Sequence, residues 1–349
     1  MRLRILRTGA PKDRLCLSAL LVSGLVAMLL PAPVLAGPTD KPMLMDVWRN
    51  VFARPKTIPA PANNQPTAAK IELGEILFHD TRLSGAEDRN CATCHKASLG
   101  YSNGKARGPG YDGTDLSRNV PNLQNLAWSK RLFWDGRAQS LEQQASGPIL
   151  NANEMAGSWP QITTRLQADS TTIELFEKAF PQTTLTATNP ITPERIVEAL
   201  AAYERTLISP ITRFDQFIAG ETTALSPREQ QGFALFVGRA GCVACHGGWR
   251  FTDDRLHDIG LSNADVGTDD QPRNTANPTS FKTPSLRELR HSAPYMHDGS
   301  KATLEEVIKH YNGGFSKRPS LSRNIVQDLE LTADERHALI AFLNTLSSK

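Results

Sequence analysis

Two copies of one short motif constrain this chain more than any other feature of its sequence. Each copy has two cysteines three positions apart and a histidine directly after the second cysteine: Cys91-Ala92-Thr93-Cys94-His95 and Cys242-Val243-Ala244-Cys245-His246. On one helical turn, both thiols can reach the vinyl groups of a single porphyrin, and the histidine can turn its imidazole to the iron. The sequence therefore predicts two covalently attached haem c groups. A redox-active cysteine pair or a zinc site is the competing interpretation of each motif.

The N-terminus has the pattern of a secretory signal. Five basic residues precede an apolar run over 16–30, and Val34-Leu35-Ala36 gives the small-residue cleavage pattern. The run is shorter than the 18 or more apolar residues typical of a membrane span, and Pro31 follows it directly. We expect cleavage near Ala36, export to the periplasm and no stable membrane insertion after cleavage.

Loss of residues 1–36 changes the charge and the cysteine content of the mature chain. It removes five positive charges and one negative charge, so the net charge falls by four, from +3 to −1. Such a chain offers no basic excess for binding nucleic acid. Of the five cysteines, Cys16 leaves with the signal and the other four lie in the two motifs, so none remains for a disulfide.

An internal repeat predicts the domain organisation. Shifted by 163 positions, residues 121–142 and 284–305 align without a gap, with 8 of 22 positions identical. Each stretch lies downstream of its own cysteine–histidine motif. We therefore predict an all-α fold of two cytochrome c-like helical domains related by duplication, each with one covalent haem. The predicted segments are a signal peptide (1–36), an N-terminal domain (37–220) and a C-terminal domain (221–349).

Helix-start signals support this class of fold. Thr192-Pro193 predicts one helix start, and capping boxes beginning at Ser226, Thr303 and Thr332 predict three more. No segment has a sustained alternation of apolar and polar residues. The spacing between motif and repeat is longer in the second half, which predicts an insertion in the loop at 253–280.

The repeat also aligns Tyr311 with Pro148. Tyrosine can bind iron and proline cannot, so the first haem is predicted to be open over Pro148, and Tyr311 is predicted to close the second haem. In the alternative, Tyr311 is a packed core aromatic, and the second haem takes its ligand from Met296, His291, His297 or His310.

An open haem that splits peroxide needs a nearby group that handles protons. Glu154 suits this role, as do Glu142 and Gln144, although a glutamate on the surface is an equally ordinary interpretation. Trp134 aligns with His297 in the repeat. An aromatic side chain between two haems could relay electrons, but most tryptophans are simply buried.

Together, these residues strongly resemble the bacterial di-haem cytochrome c peroxidase family, from about Gly74 to Leu346. The resemblance rests on both cysteine–histidine motifs and on the segments Arg118–Pro121, Phe133–Ala138 and Ser292–Gly299. It implies a peroxide-reactive first haem, an electron-transfer second haem and a calcium ion between them. The implied site residues are Asn119, Ser292 and Pro294 for calcium, Trp134 between the haems, and Glu154 as the distal acid.

Two departures from most of that family resemble its MauG (methylamine utilisation) branch. Tyr111 stands where other members have a histidine, and Tyr311 where they have a methionine ligand. In the MauG branch a tyrosine binds the second haem, and the first haem lies beneath glutamine, proline and glutamate, here Gln144, Pro148 and Glu154. That branch oxidises tryptophans of a precursor protein to complete the tryptophan tryptophylquinone of methylamine dehydrogenase.

The sequence thus predicts a periplasmic di-haem oxidoreductase that activates hydrogen peroxide and oxidises a protein partner. The partner would be a quinoprotein precursor, a small cytochrome c or a cupredoxin. One alternative is a cytochrome c peroxidase that reduces peroxide to water with electrons from a small cytochrome c. The other is a di-haem electron carrier without catalysis.

Overall fold

The computed structural model describes residues 40–181, 189–261 and 278–348. The predicted signal peptide and most of the predicted insertion at 253–280 lie outside these ranges. Within the described ranges, no helix has both the length and the apolar character that crossing a bilayer requires. The described residues from Pro42 onward belong to one compact unit.

The fold is mostly helical, as the sequence predicts. The described helices are α1 (Asp40–Phe52), α2 (Ala68–Phe78), α3 (Cys91–Cys94), α4 (Leu141–Leu150), α5 (Trp159–Gln167), α6 (Ser170–Ala179), α7 (Pro193–Glu204), α8 (Arg213–Ile218), α9 (Pro227–Val237), α10 (Leu304–Lys309) and α11 (Ala333–Asn344). One antiparallel pair of two-residue strands, β1 (Leu256–His257) and β2 (Phe281–Lys282), accompanies them.

The predicted helix starts are confirmed. Thr192, Ser226, Thr303 and Thr332 are the N-caps of α7, α9, α10 and α11, and each side chain accepts a bond from the backbone N–H three residues on. In the last three helices a glutamate returns the bond, which completes a capping box. These local bonds fix where the helices begin.

Apolar side chains form two large clusters, the first with members from Leu73 to Leu207, and the second with Phe52 and members from Phe214 to Leu346. In each cluster, two helices cross at a glycine. A Cβ atom on Gly74 would lie 2.0 Å from the backbone oxygen of Ala199, and one on Gly232 would lie 1.9 Å from that of Ala338. Only glycine permits these close crossings of α2 with α7 and of α9 with α11.

The two stretches that align in sequence also have matching local structure. The features 163 positions apart are the 3₁₀ turns Leu126–Trp128 and Leu289–His291, the isolated bridges Leu132–Ala138 and Tyr295–Lys301, the positive φ angles of Phe133 and Met296, and the N-caps Ser140 and Thr303.

The match ends within α10. Helix α10 begins at Leu304 and ends at Lys309, and a π-helical turn, His310–Gly314, follows it. The positive φ of Gly313 interrupts the regular α-helical backbone there. Tyr311 therefore lies in the turn rather than on the helix.

Candidate haem-binding cavity

One cavity of about 600 Å³ is lined by residues from both halves of the chain. The predicted haem-attachment, calcium, inter-haem and distal residues contribute to its lining: Cys91, Cys94, His95, Asn119, Trp134, Gln144, Pro148, Glu154, Cys242, Cys245, His246, Ser292, Pro294 and Tyr311. Both cysteine–histidine motifs therefore face a single space.

The two motif histidines are held in the same way. In each case Nδ1 lies 2.8 Å from a backbone oxygen, that of Tyr101 for His95 and that of Phe251 for His246. A hydrogen bond from one ring nitrogen to a carbonyl is how proteins orient an iron-binding imidazole, and it leaves Nε2 as the nitrogen for the metal. Asn90 caps the short helix α3 and so positions the first pair of thiols.

The thiols themselves do not resemble reactive or zinc-binding cysteines. Burial raises the pKa of Cys91 and Cys94, and it raises the pKa of Cys242 to about 12. Redox-active cysteines have lowered pKa values, because the thiolate is the reacting form. In the described part of the chain, one cluster has metal-ligand geometry, Cys245 with Asp253 and His257, and it includes neither Cys242 nor His246. The arrangement fits thioether-linked haem better than zinc.

Helix α4 brings Gln144 and Pro148 to the cavity near the first motif. Just beyond it, the Glu154 carboxylate accepts a bond of 2.7 Å from the Asn151 side-chain amide. Glu142 is directed elsewhere, since it pairs with Arg205 at 2.8 Å and accepts a bond from Asn64. Of the three proton-handling candidates, Glu154 and Gln144 line the cavity and Glu142 does not.

Tyr311 faces the cavity near the second motif. Burial, together with the neighbouring Cys245 and Cys242, raises its pKa. A phenol in this setting becomes an anionic ligand only where a cation replaces its proton. Among the alternative ligands, Met296 and His297 also line the cavity, whereas His291 and His310 do not. The His310 ring is bonded through Nε2 to the backbone oxygen of Ile259 at 2.8 Å.

Trp134 and Asn119 connect the two halves. The indole N–H of Trp134 donates to the backbone oxygen of Asn119 at 2.8 Å, and the Trp134 backbone oxygen accepts from Lys282 in β2 at 2.7 Å. The Asn119 side-chain amide meets three backbone oxygens, those of Lys105, Ala106 and Pro294, at 3.0–3.3 Å. With the amide turned, its oxygen would join three carbonyl oxygens, a donor set that suits calcium.

Sequence reasoning missed Glu204, the last residue of α7. Its side chain lines the cavity, is 5% exposed, and has an oxygen, Oε2, without a hydrogen-bond partner among the residues that the structure describes. Burial raises its pKa to about 8. The sequence does contain a signal that could have identified Glu204. It is an acidic residue four positions after Leu200, on the apolar face of the helix predicted to begin at Thr192.

One chain with two such motifs around a shared cavity defines a di-haem c-type cytochrome. The chain belongs to the di-haem cytochrome c peroxidase family, whose sequence model matches residues 68–223. It is therefore a haem-dependent oxidoreductase of the peroxidase type, as predicted.

The relatives include both classes named by the sequence analysis. The methylamine utilization protein MauG of Methylorubrum extorquens is 44% identical over 301 residues, covering 85% of this chain and 84% of that protein. The cytochrome c551 peroxidase of Nitrosomonas europaea is 34% identical over 296 residues, covering 83% of each chain. A crystal structure of a MauG-like protein associated with microbial copper homeostasis is 33% identical, with a TM-score of 0.74 over 85% of this chain and 95% of that one.

Proposed function

We propose that this enzyme activates hydrogen peroxide at the haem of Cys91, Cys94 and His95, and then oxidises a protein partner. The observation that supports this most is the shared cavity, which Pro148 lines and in which Glu154 lies near Cys94 of one motif and Tyr311 near Cys242 and Cys245 of the other. A protein that only carries electrons would not require such different residues around its two haems.

We further infer that the chain is a duplication with domains at 37–220 and 221–349, each holding one haem. The matching turns, bridges and N-caps 163 positions apart support this division. The two apolar clusters follow this division except at Phe52 and at Phe214, Phe217 and Ile218, which lie in the range of the first domain and pack in the second cluster.

Haem held by these residues would supply a redox-active iron for reaction with peroxide and for electron exchange. Pro148 offers no ligand atom and so leaves peroxide access to the first haem. Glu154, held by Asn151, takes the proton from the bound peroxide and returns it to the departing oxygen. Gln144, one turn before Pro148 on α4, offers an amide that hydrogen-bonds peroxide.

Tyr311 would hold the iron of the other haem through an anionic phenolate oxygen. Trp134, fixed at both its indole N–H and its backbone oxygen, would offer an oxidisable ring between the two haems. Asn119, Pro294 and Ser292 would hold the calcium ion, and Asn119 also positions Trp134, because its backbone oxygen accepts the indole N–H.

We place the enzyme in the periplasm after cleavage near Ala36, and take its partner to be a quinoprotein precursor of the methylamine dehydrogenase type. The two MauG proteins at 44% and 42% identity support this choice. The relative named as a cytochrome c551 peroxidase favours a second candidate, peroxide reduction fed by a small cytochrome c or a cupredoxin.

Tyr311→His tests the choice between these functions. The variant should keep both haems by mass and lose oxidation of a quinoprotein precursor, because a neutral imidazole replaces the anionic phenolate. Tyr295→Phe, also from the cavity lining near the second motif, is the matched control and should retain that oxidation. Rapid turnover of reduced cytochrome c by the unaltered enzyme, undiminished in Tyr311→His, would favour the second candidate.

A further inference from the structure

Each motif histidine is held by the backbone oxygen of one member of a set of three packed aromatic residues. The first trio is Phe78, Tyr101 and Tyr203; the second trio is Phe236, Phe251 and Phe342. Tyr101 and Phe251 supply the backbone oxygens that hold His95 and His246, and both have a positive φ, of 59° and 58°. They occupy equivalent positions behind the two imidazoles.

The other two residues of each trio are arranged in the same way. The ring centroid of Phe78 lies 6.4 Å from that of Tyr101 and 5.3 Å from that of Tyr203. The centroid of Phe236 lies 5.8 Å from that of Phe251 and 5.1 Å from that of Phe342. Tyr203 and Phe342 also lie at equivalent positions in the two glycine crossings. A Cβ atom on Gly74 would lie 2.8 Å from the Cβ of Tyr203, and one on Gly232 would lie 2.7 Å from the Cβ of Phe342.

The two trios therefore differ chiefly by two hydroxyl groups, both beside the first motif. A phenol gives up an electron when its proton leaves with it, whereas a phenyl ring resists oxidation far more strongly. The second trio lies among further phenylalanines, including Phe52, Phe214 and Phe233. The trio that holds His95 thus contains two oxidisable side chains and the trio that holds His246 contains none, while Tyr295 and Tyr311 lie near the second motif outside its trio.

The two phenols also interact with each other. Burial, then the charge and hydrogen bonding of Tyr101, raise the pKa of Tyr203, so it is a neutral phenol at ordinary pH. Glu75, exposed on α2, is close enough for its charge to act on the same group. Neither tyrosine lines the cavity, so both are kept away from the entering peroxide.

We propose that Tyr101 and Tyr203 form a second oxidation site of this enzyme, which stores oxidising equivalents from peroxide as tyrosyl radicals when no protein partner is bound. The proposal rests on the assignment of the first haem as the peroxide-reactive one. For one hydrogen peroxide and both phenols the reaction balances. Two phenol O–H bonds and the O–O bond break, two electrons and two protons pass to the peroxide oxygens, and two water molecules form.

The test is freeze-quench electron paramagnetic resonance of the two-haem enzyme mixed with hydrogen peroxide and no partner. Ring-deuterated tyrosine identifies a tyrosyl signal, because deuterium narrows it. Tyr101→Phe combined with Tyr203→Phe should remove this signal. The double variant should fold, since it gives the first trio the composition that the second trio already has, and it keeps the backbone oxygen that holds His95; mass and absorbance check both haems.

Tyr111→Phe is the matched control, because Tyr111 lies in the same half, packs on Arg89 at 4.6 Å and belongs to neither trio. It should keep the signal. Repeated peroxide without partner should also bleach the haems of the double variant faster than those of the unaltered enzyme. A tyrosyl signal that survives in the double variant, or peroxide consumption with no tyrosyl signal, would overturn this inference alone. An enzyme that consumes no peroxide would overturn the proposed function as well.

Discussion

The indole N–H of Trp134 donates a hydrogen bond of 2.8 Å to the backbone oxygen of Asn119. Asn119 also directs its side chain at three backbone oxygens, including that of Pro294 in the other half of the chain. One residue thus joins the proposed calcium site to the aromatic ring proposed to lie between the haems.

Removal of calcium should therefore disturb electron transfer without releasing haem. We expect a chelator to slow partner oxidation while the mass of the enzyme is unchanged. Added Ca²⁺ should restore the rate and Mg²⁺ should not, because Mg²⁺ demands a smaller and more regular set of oxygen ligands. Asn119→Ala should behave like the chelated enzyme, and full activity in that variant would place calcium elsewhere.

The first haem should be open in the resting enzyme. Pro148 provides no ligand, and no histidine occurs between His95 and His246. The mature chain, counted from Gly37, should exceed its polypeptide mass by two haems, and part of its absorbance spectrum should be high-spin. It should react with peroxide without prior reduction. A fully low-spin resting spectrum would show that a ligand closes both haems.

Glu154→Gln should slow the reaction with peroxide by on the order of 10²-fold, the size expected when a general acid–base group is lost. Glutamine keeps the shape and the bond to Asn151 but carries no exchangeable carboxyl proton. Stopped-flow absorbance measures the rate. Glu174→Gln, on the exposed face of α6, is the control and should leave the rate unaltered; an equal rate in both variants would remove Glu154 from the mechanism.

Because of Glu204, the free energy of unfolding should decrease as pH rises. Its folded pKa, raised to about 8, lies above that of an unfolded glutamate, about 4.3. Between these values the folded chain keeps a proton that the unfolded chain has released, so the free energy of unfolding decreases across this window as pH increases. Glu204→Gln should flatten the dependence.

Denaturant unfolding of the two-haem enzyme at about pH 5 and about pH 8 measures this effect. Glu177→Gln, an exposed glutamate on α6, is the control and should keep the slope of the unaltered enzyme. If Glu204→Gln keeps that slope too, the carboxyl is ionised in the folded chain.

Local chemistry made much of this structure predictable. Ser226, Thr303 and Thr332 cap their helices as expected, because a capping box needs only four consecutive residues. The end of α10 at Lys309 was not predictable, since the repeat aligned it with α4, which continues to Leu150. Glu142 pairs with Arg205, whereas Glu204 lines the cavity. This difference depends on how α4 packs against α7, and sequence periodicity does not specify that contact.

The shared cavity has a consequence for biogenesis. Because residues of both halves line one space, each haem would serve as part of the packed interior beside the other. A chain that receives only one porphyrin would retain a void whose walls come from both halves, and voids of this kind weaken a fold in proportion to their volume. Half-loaded chains should accordingly be short-lived in the cell, so that proteolysis itself acts as a quality check on the two attachment reactions.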